Sequence, residues 1–124
     1  MTYVYIALGA IAGALCRYHA VRTIQAQFNH AFPWGTWIVN LSGSFLLGIL
    51  GGVLRGHPTW PTGAIQSIAG VGFCGTYTTF SAFIFETIQL WRHGNRRACV
   101  TNICSQPLLG LLLAWLGLLL GARL

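Results

Sequence analysis

Four apolar stretches follow one another along the chain, separated by short connections. The first runs from Tyr3 to about Gln25, the second from Gly35 to Leu54, the third from about Pro61 to Leu90 and the fourth from Ala98 to Gly121. A helix needs about 20 predominantly apolar residues to cross a bilayer. The pattern therefore predicts four transmembrane helices, over 3–25, 35–54, 61–90 and 98–121. Between them lie only 26–34, 55–60 and 91–97, too little chain for a second domain. The expected organisation is one four-helix transmembrane domain over 1–124. Trp34 and Trp37 open the second span, Trp60 precedes the third and Trp91 closes it. Tryptophan favours the headgroup layer, because its ring is apolar and its N–H is polar.

Small residues recur four apart at Gly9 and Gly13, Gly48 and Gly52, and Gly117 and Gly121. That spacing lets helix backbones approach closely in lipid. Pro33, Pro58 and Pro61 fall in or beside connections, where a missing N–H costs little. Pro107 falls inside the fourth span and should kink it.

Composition excludes other classes. Of 124 residues, 55% are hydrophobic and 6% charged, against about 25% charged in soluble domains. The charged set is seven arginines and one acid, Glu86, with no lysine. So few charges could not wet the surface of a soluble fold, and no basic stretch is interleaved with aromatics as in nucleic-acid binders. Nucleic acid is not an expected partner; the lipid bilayer is. Met1 to Leu15 holds no basic residue, so the first span reads as a retained helix rather than a cleaved signal. Arg22, Arg92, Arg96 and Arg97 fall in or beside the first and third connections, against Arg55 and Arg123 at the other end. The bias favours the first and third connections in the cytoplasm. Cys16, Cys74, Cys99 and Cys104 form no CxxC pair and have no histidine at metal-ligand spacing. They read as small hydrophobes.

The third span departs from a plain lipid-facing helix. Gly70, Gly72 and Gly75 lead into Thr76-Tyr77-Thr78-Thr79-Phe80-Ser81. Glycine and β-branched residues weaken a helix, which predicts a break at membrane depth. Broken backbone there must be buried in protein or line a polar cavity. Its carbonyls can take a cation, and its N–H groups or hydroxyls an anion. The alternative is a Gly/Thr packing face with hydroxyls bonded back to their own helix. Asn40 lies about one and a half turns into the second span, after Thr36 and before Ser42 and Ser44. It either ties two helices together or donates to a permeating anion. Glu86 is a functional candidate as an acid inside a span, and the alternative is a structural pair with Arg17.

The run Gly72-Phe73-Cys74-Gly75-Thr76-Tyr77-Thr78-Thr79-Phe80-Ser81-Ala82-Phe83, followed by Glu86, resembles the signature of the CrcB/Fluc fluoride channels. So do Gly35-Thr36-Trp37-Ile38-Val39-Asn40-Leu41 and Leu15-Cys16-Arg17-Tyr18. The resemblance implies a passive fluoride-selective channel, not an enzyme, that exports cytoplasmic fluoride across the inner (plasma) membrane. It implies an antiparallel, dual-topology dimer of four-helix subunits with two pores, and a structural sodium ion held by backbone carbonyls of Gly75 and Thr78. It matches Asn40, Phe80 and Phe83 to pore residues, and Thr36, Thr79, Ser81 and Glu86 to polar groups near the fluoride path. Some members carry a polar track on the fourth helix; the corresponding positions here are read as Ile103, Pro107 and Leu111, all apolar, with Asn102, Ser105 and Gln106 nearby. The arginine bias leaves open a heterodimer with a paralogue of opposite orientation. A small four-helix multidrug exporter and a membrane thiol oxidoreductase are the competing readings. The first span lacks the exporters' membrane-embedded glutamate, and the oxidoreductase would need cysteines paired at one membrane face.

Overall fold

The computed structural model describes residues 1–28 and 30–124; Asn29, inside the first predicted connection, lies outside the described residues. The described residues form helices and no strand. Helix α1 covers Thr2–Gln27 and α2 covers Trp34–Gly56. The third membrane segment is composite. Its first half, α3, spans 62–77, and its second half, α4, is Phe80–Arg92. Helix α5 is Arg96–Gly121 and stays helical through Pro107. Four helical segments are thus long and apolar enough to cross a membrane.

The break falls on two consecutive threonines. Thr78 (φ −81°, ψ 159°) and Thr79 (φ −148°, ψ 120°) are both extended, a conformation that suits β-branched side chains. The stretch before it holds a feature that the residue pattern did not suggest. Gln66–Cys74 is wound as a π-helix, and at its end the Gly75 N–H reaches the Gly70 carbonyl five residues back. π-Helical turns are rare and concentrate at functional sites.

Glycine decides which helices touch. α2 packs mainly on α5, and α1 mainly on α3. A methyl group on Gly48 would strike the Ala114 carbonyl, and one on Gly121 the Ile49 carbonyl. Across the other pair, a methyl on Gly72 would come within 2.6 Å of the Ile6 carbonyl, and one on Gly9 would strike that of Ile68. All three glycine pairs read from the sequence therefore pack helices within one chain. The reverse turn between α4 and α5 needs a glycine for another reason: Gly94 has φ of 75°, which side chains with a Cβ rarely adopt.

α1 contributes least to the interior. α1 buries only Gly9 and Gly13 and leaves Leu8, Ile11, Leu15 and Tyr18 exposed, as expected for a helix facing lipid or a second subunit.

The α2–α5 contact yields a direct test. Gly48→Ala should cost about 1–3 kcal/mol through backbone overlap, seen as a lower melting temperature in detergent. Gly51→Ala, whose added methyl would sit 3.6 Å from Leu118, should change stability by less than about 0.5 kcal/mol. Equal melting of the two variants would show that this close approach does not hold the bundle together.

Candidate functional site

The site is built around the break. Asn40, carried by α2, grips Thr79 at two points. Its Oδ1 accepts from the Thr79 N–H at 2.8 Å, and its Nδ2 donates to the Thr79 carbonyl at 3.0 Å. The second Nδ2 proton goes to Gln106 Oε1 at 2.8 Å. Both donors of the amide are therefore used within the chain, so Asn40 ties α2, the break and α5 together.

These diversions release two carbonyls. The Thr79 N–H would close a helical turn on the Gly75 carbonyl, but it goes to Asn40. The Ala82 N–H would close one on the Thr78 carbonyl, but it goes to Thr79 Oγ1 at 3.3 Å, capping α4. The Gly75 and Thr78 carbonyls are thus two of the four at the end of α3, with those of Thr76 and Tyr77, that the break leaves without a helical donor. Paired carbonyl oxygens are a donor set that fits a hard cation. Arg17 Nη1 approaches the Thr78 carbonyl at 3.4 Å.

The hydroxyls divide into two groups. Thr76 donates to the Gly72 carbonyl and Thr78 to the Cys74 carbonyl, so these two bond back to their own helix. Thr79 and Ser81 instead lie together at the start of α4, with their oxygens 3.3 Å apart. Phe80 and Phe83 sit just beyond, ring centroids 5.8 Å apart at 58°. Phe83 is 6% exposed and Phe80 75%. Both line an open groove of about 370 Å³, together with Asn40, Thr78, Thr79 and Gln106.

α5 turns its amides into the bundle. Ile103 and Leu111 face outward and Pro107 is also exposed, whereas Asn102 is fully buried and Gln106 nearly so. The buried face thus carries Asn102 and Gln106, while Pro107 lines the groove beside the break. Its amides form a directional chain: Asn40 donates to Gln106, Gln106 Nε2 to Asn102 Oδ1 at 2.7 Å, Asn102 Nδ2 to Thr87 Oγ1 at 2.8 Å, and Thr87 to the Phe83 carbonyl. Cys99, Asn102, Gln106, Gly117 and Gly121 are the buried residues of α5. Their separations of 3, 4, 11 and 4 residues, each close to a whole number of helical turns, are the signal that identifies this face. Ser105 points elsewhere, accepting from Trp37 Nε1 at 2.9 Å.

Glu86 is not paired with Arg17. Its Oε1 accepts from Thr36 Oγ1 at 2.8 Å, while Arg17 is turned to the break. Glu86 Oε2 is buried and has no hydrogen-bond partner among the described residues. Glu86 lines a second cavity of about 480 Å³ at the end of the bundle formed by the first and third connections, with Gln25, Phe32, Gln89, His93 and Asn95. Its size admits on the order of ten waters.

A family model described as "CrcB-like protein, Camphor Resistance (CrcB)" matches residues 4–118. A protein of Symbiobacterium thermophilum named "Fluoride-specific ion channel FluC 1" is 40% identical over 122 residues, covering 98% of each chain. "Fluoride-specific ion channel FluC 2" of Moorella thermoacetica is 40% identical over 124 residues, all of this chain and 99% of that one. "Fluoride-specific ion channel FluC 1" of Listeria monocytogenes is 36% identical over 121 residues, 98% of each. With the motif around the break, the four membrane-length helices and full-length likeness of this degree, the chain belongs to the CrcB family of fluoride ion channels.

Proposed function

We propose that this protein is a passive, fluoride-selective channel that exports cytoplasmic fluoride across the inner membrane. The observation that carries the reading is the clamped break, which sets donors, hydroxyls and two phenylalanines beside one groove at the start of α4. Fluoride is small and strongly hydrated, so leaving water demands replacement donors. The break offers the positive end of α4, the hydroxyls of Thr79 and Ser81, and the amide protons of Asn40 in exchange for its present acceptors. Phenylalanine edges are positive and hold an anion weakly enough to release it, as conduction requires. Glu86, held by Thr36, lines the cavity at the end of the bundle formed by the first and third connections, where fluoride would meet bulk water.

The functional unit is an antiparallel dimer with dual topology. What supports it is that the groove is open on the single chain, with Phe80 largely bare and nothing close to a methyl group on Gly75 except one carbonyl 3.9 Å away. The carbonyls of Gly75 and Thr78 would hold the structural sodium ion at the dimer centre, with the partner's copies completing its shell. Bound there, sodium would supply a fixed positive charge against the negative ends of the half-helices.

Three expectations follow. Liposomes containing only this chain should release fluoride rapidly and chloride far more slowly, as followed by ion-selective electrodes. No fluoride efflux from well-folded protein, alone or with an oppositely oriented paralogue added, would overturn the channel reading. Phe80→Ile should lower fluoride efflux roughly two- to tenfold, the range corresponding to loss of one aromatic-edge contact, while the dimer still assembles in size-exclusion chromatography; unchanged efflux removes Phe80 from the path. Glu86→Gln keeps an acceptor for Thr36 and should cost less than about tenfold in flux, since a passive pore needs no proton carrier. Complete loss of transport would favour a proton-exchanging exporter instead.

A further inference from the structure

Arg17 has a task that the pore does not explain. It lies half-buried in α1, inside the first span. The chain's one acid does not meet it, because Glu86 is bonded to Thr36. Its hydrogen bond runs to the Thr78 carbonyl at 3.4 Å. That oxygen lies at the C-terminal end of α3, and its helical donor, the Ala82 N–H, has been taken by Thr79 Oγ1. A helix C-terminus carries partial negative charge, and a guanidinium is always cationic, with five donors. At 3.4 Å the contact is long for N–H···O, so attraction of charge to dipole outweighs hydrogen-bond geometry.

We propose that Arg17 is the resident cation of the broken helix: it satisfies the Thr78 carbonyl when no metal ion is bound, and competes with sodium for that oxygen. The proposal rests on the sodium site proposed above, and makes the Arg17 side chain the residue that tunes its occupancy. Two consequences follow from like charges brought to one acceptor. The wild-type protein is buffered against loss of sodium, because the guanidinium remains on the carbonyl. Removing the charge lets sodium bind more tightly, because its rival and its nearest positive neighbour are gone.

The test is the melting temperature of the purified full-length protein in detergent as sodium chloride replaces N-methylglucamine chloride at constant ionic strength. Wild type should respond shallowly. Arg17→Gln should melt lower without sodium and recover as sodium is added, with a half-saturating concentration lower than wild type by about tenfold or more. Arg17→Lys, which keeps the charge, should keep the wild-type midpoint. If Arg17→Gln does not fold, Arg17→Met, which retains the apolar stem, carries the same expectation. A melting curve displaced equally at every sodium concentration, with an unchanged midpoint, would make Arg17 a plain tie between α1 and α3 and overturn the proposal while the sodium site stands. No response to sodium in wild type or any variant would overturn the sodium site and this proposal together.

Discussion

A membrane offers no water to a backbone that leaves its helix, and each unsatisfied polar group there costs several kcal/mol. The two-point grip of Asn40 on Thr79 is what makes a break in the third span affordable. Thr78 and Thr79 leave the helix, and one side chain from α2 accepts the N–H and donates to the C=O of Thr79. The rest of the arrangement serves that contact. Gly48 and Gly121 bring α2 and α5 into backbone contact, and this brings Gln106 within reach of the spare Asn40 proton. Interhelical hydrogen bonds in membranes average only about 0.6 kcal/mol each. The clamp therefore selects a backbone conformation more than it adds to overall stability.

Once the span is broken, it presents two opposite helix ends at one depth. α3 ends in carbonyls and α4 begins with N–H groups, so the same two residues separate a partial negative charge from a partial positive one. Arg17 answers the first at Thr78. Thr79 caps only part of the second, through Ala82. The hydroxyl pattern follows this polarity. Thr76 and Thr78, before the break, bond back to their own carbonyls. Thr79 and Ser81, after it, are placed where N–H groups and hydroxyls converge. The packing-face reading of the Gly/Thr run is thus true of one half and not of the other.

Much of this was legible in the sequence, for physical reasons. Lipid demands long apolar runs, so four membrane-length helices were visible in hydropathy alone. Consecutive threonines after three glycines marked the break, since both propensities oppose a helix. What escaped depends on position along or around a helix. The π-helical winding of Gln66–Cys74 follows from how each N–H chooses among carbonyls, and no residue type announces that choice. The buried face of α5 was another such feature. Ile103, Pro107 and Leu111 share the spacing of Asn102, Gln106 and Gly110, so periodicity alone fits either, and only the cost of leaving amides in lipid separates them. Arg17 and Glu86 looked like partners because both are intramembrane charges. Each instead found a polar contact closer to home, which sequence distance could not reveal.

The amide chain constrains how an anion can move through such a site. Asn40, Gln106, Asn102 and Thr87 each donate to the next, and the last donates to a backbone carbonyl. Each amide nitrogen in the chain already donates to one acceptor and Asn40 spends both of its protons, so on the proposed function fluoride reaches Asn40 as a replacement acceptor rather than by filling a vacancy. To take a proton from Asn40 it must displace Gln106 Oε1 or the Thr79 carbonyl, and the displaced oxygen then needs a new donor. An acceptor as compact and strongly hydrogen-bonding as fluoride suits that exchange. A larger halide must separate the same groups further while accepting weaker bonds in return. Selectivity on this view arises from satisfied groups that yield only to a better acceptor of small size, and the aromatic pair beside them supplies the weaker hold from which the ion can leave.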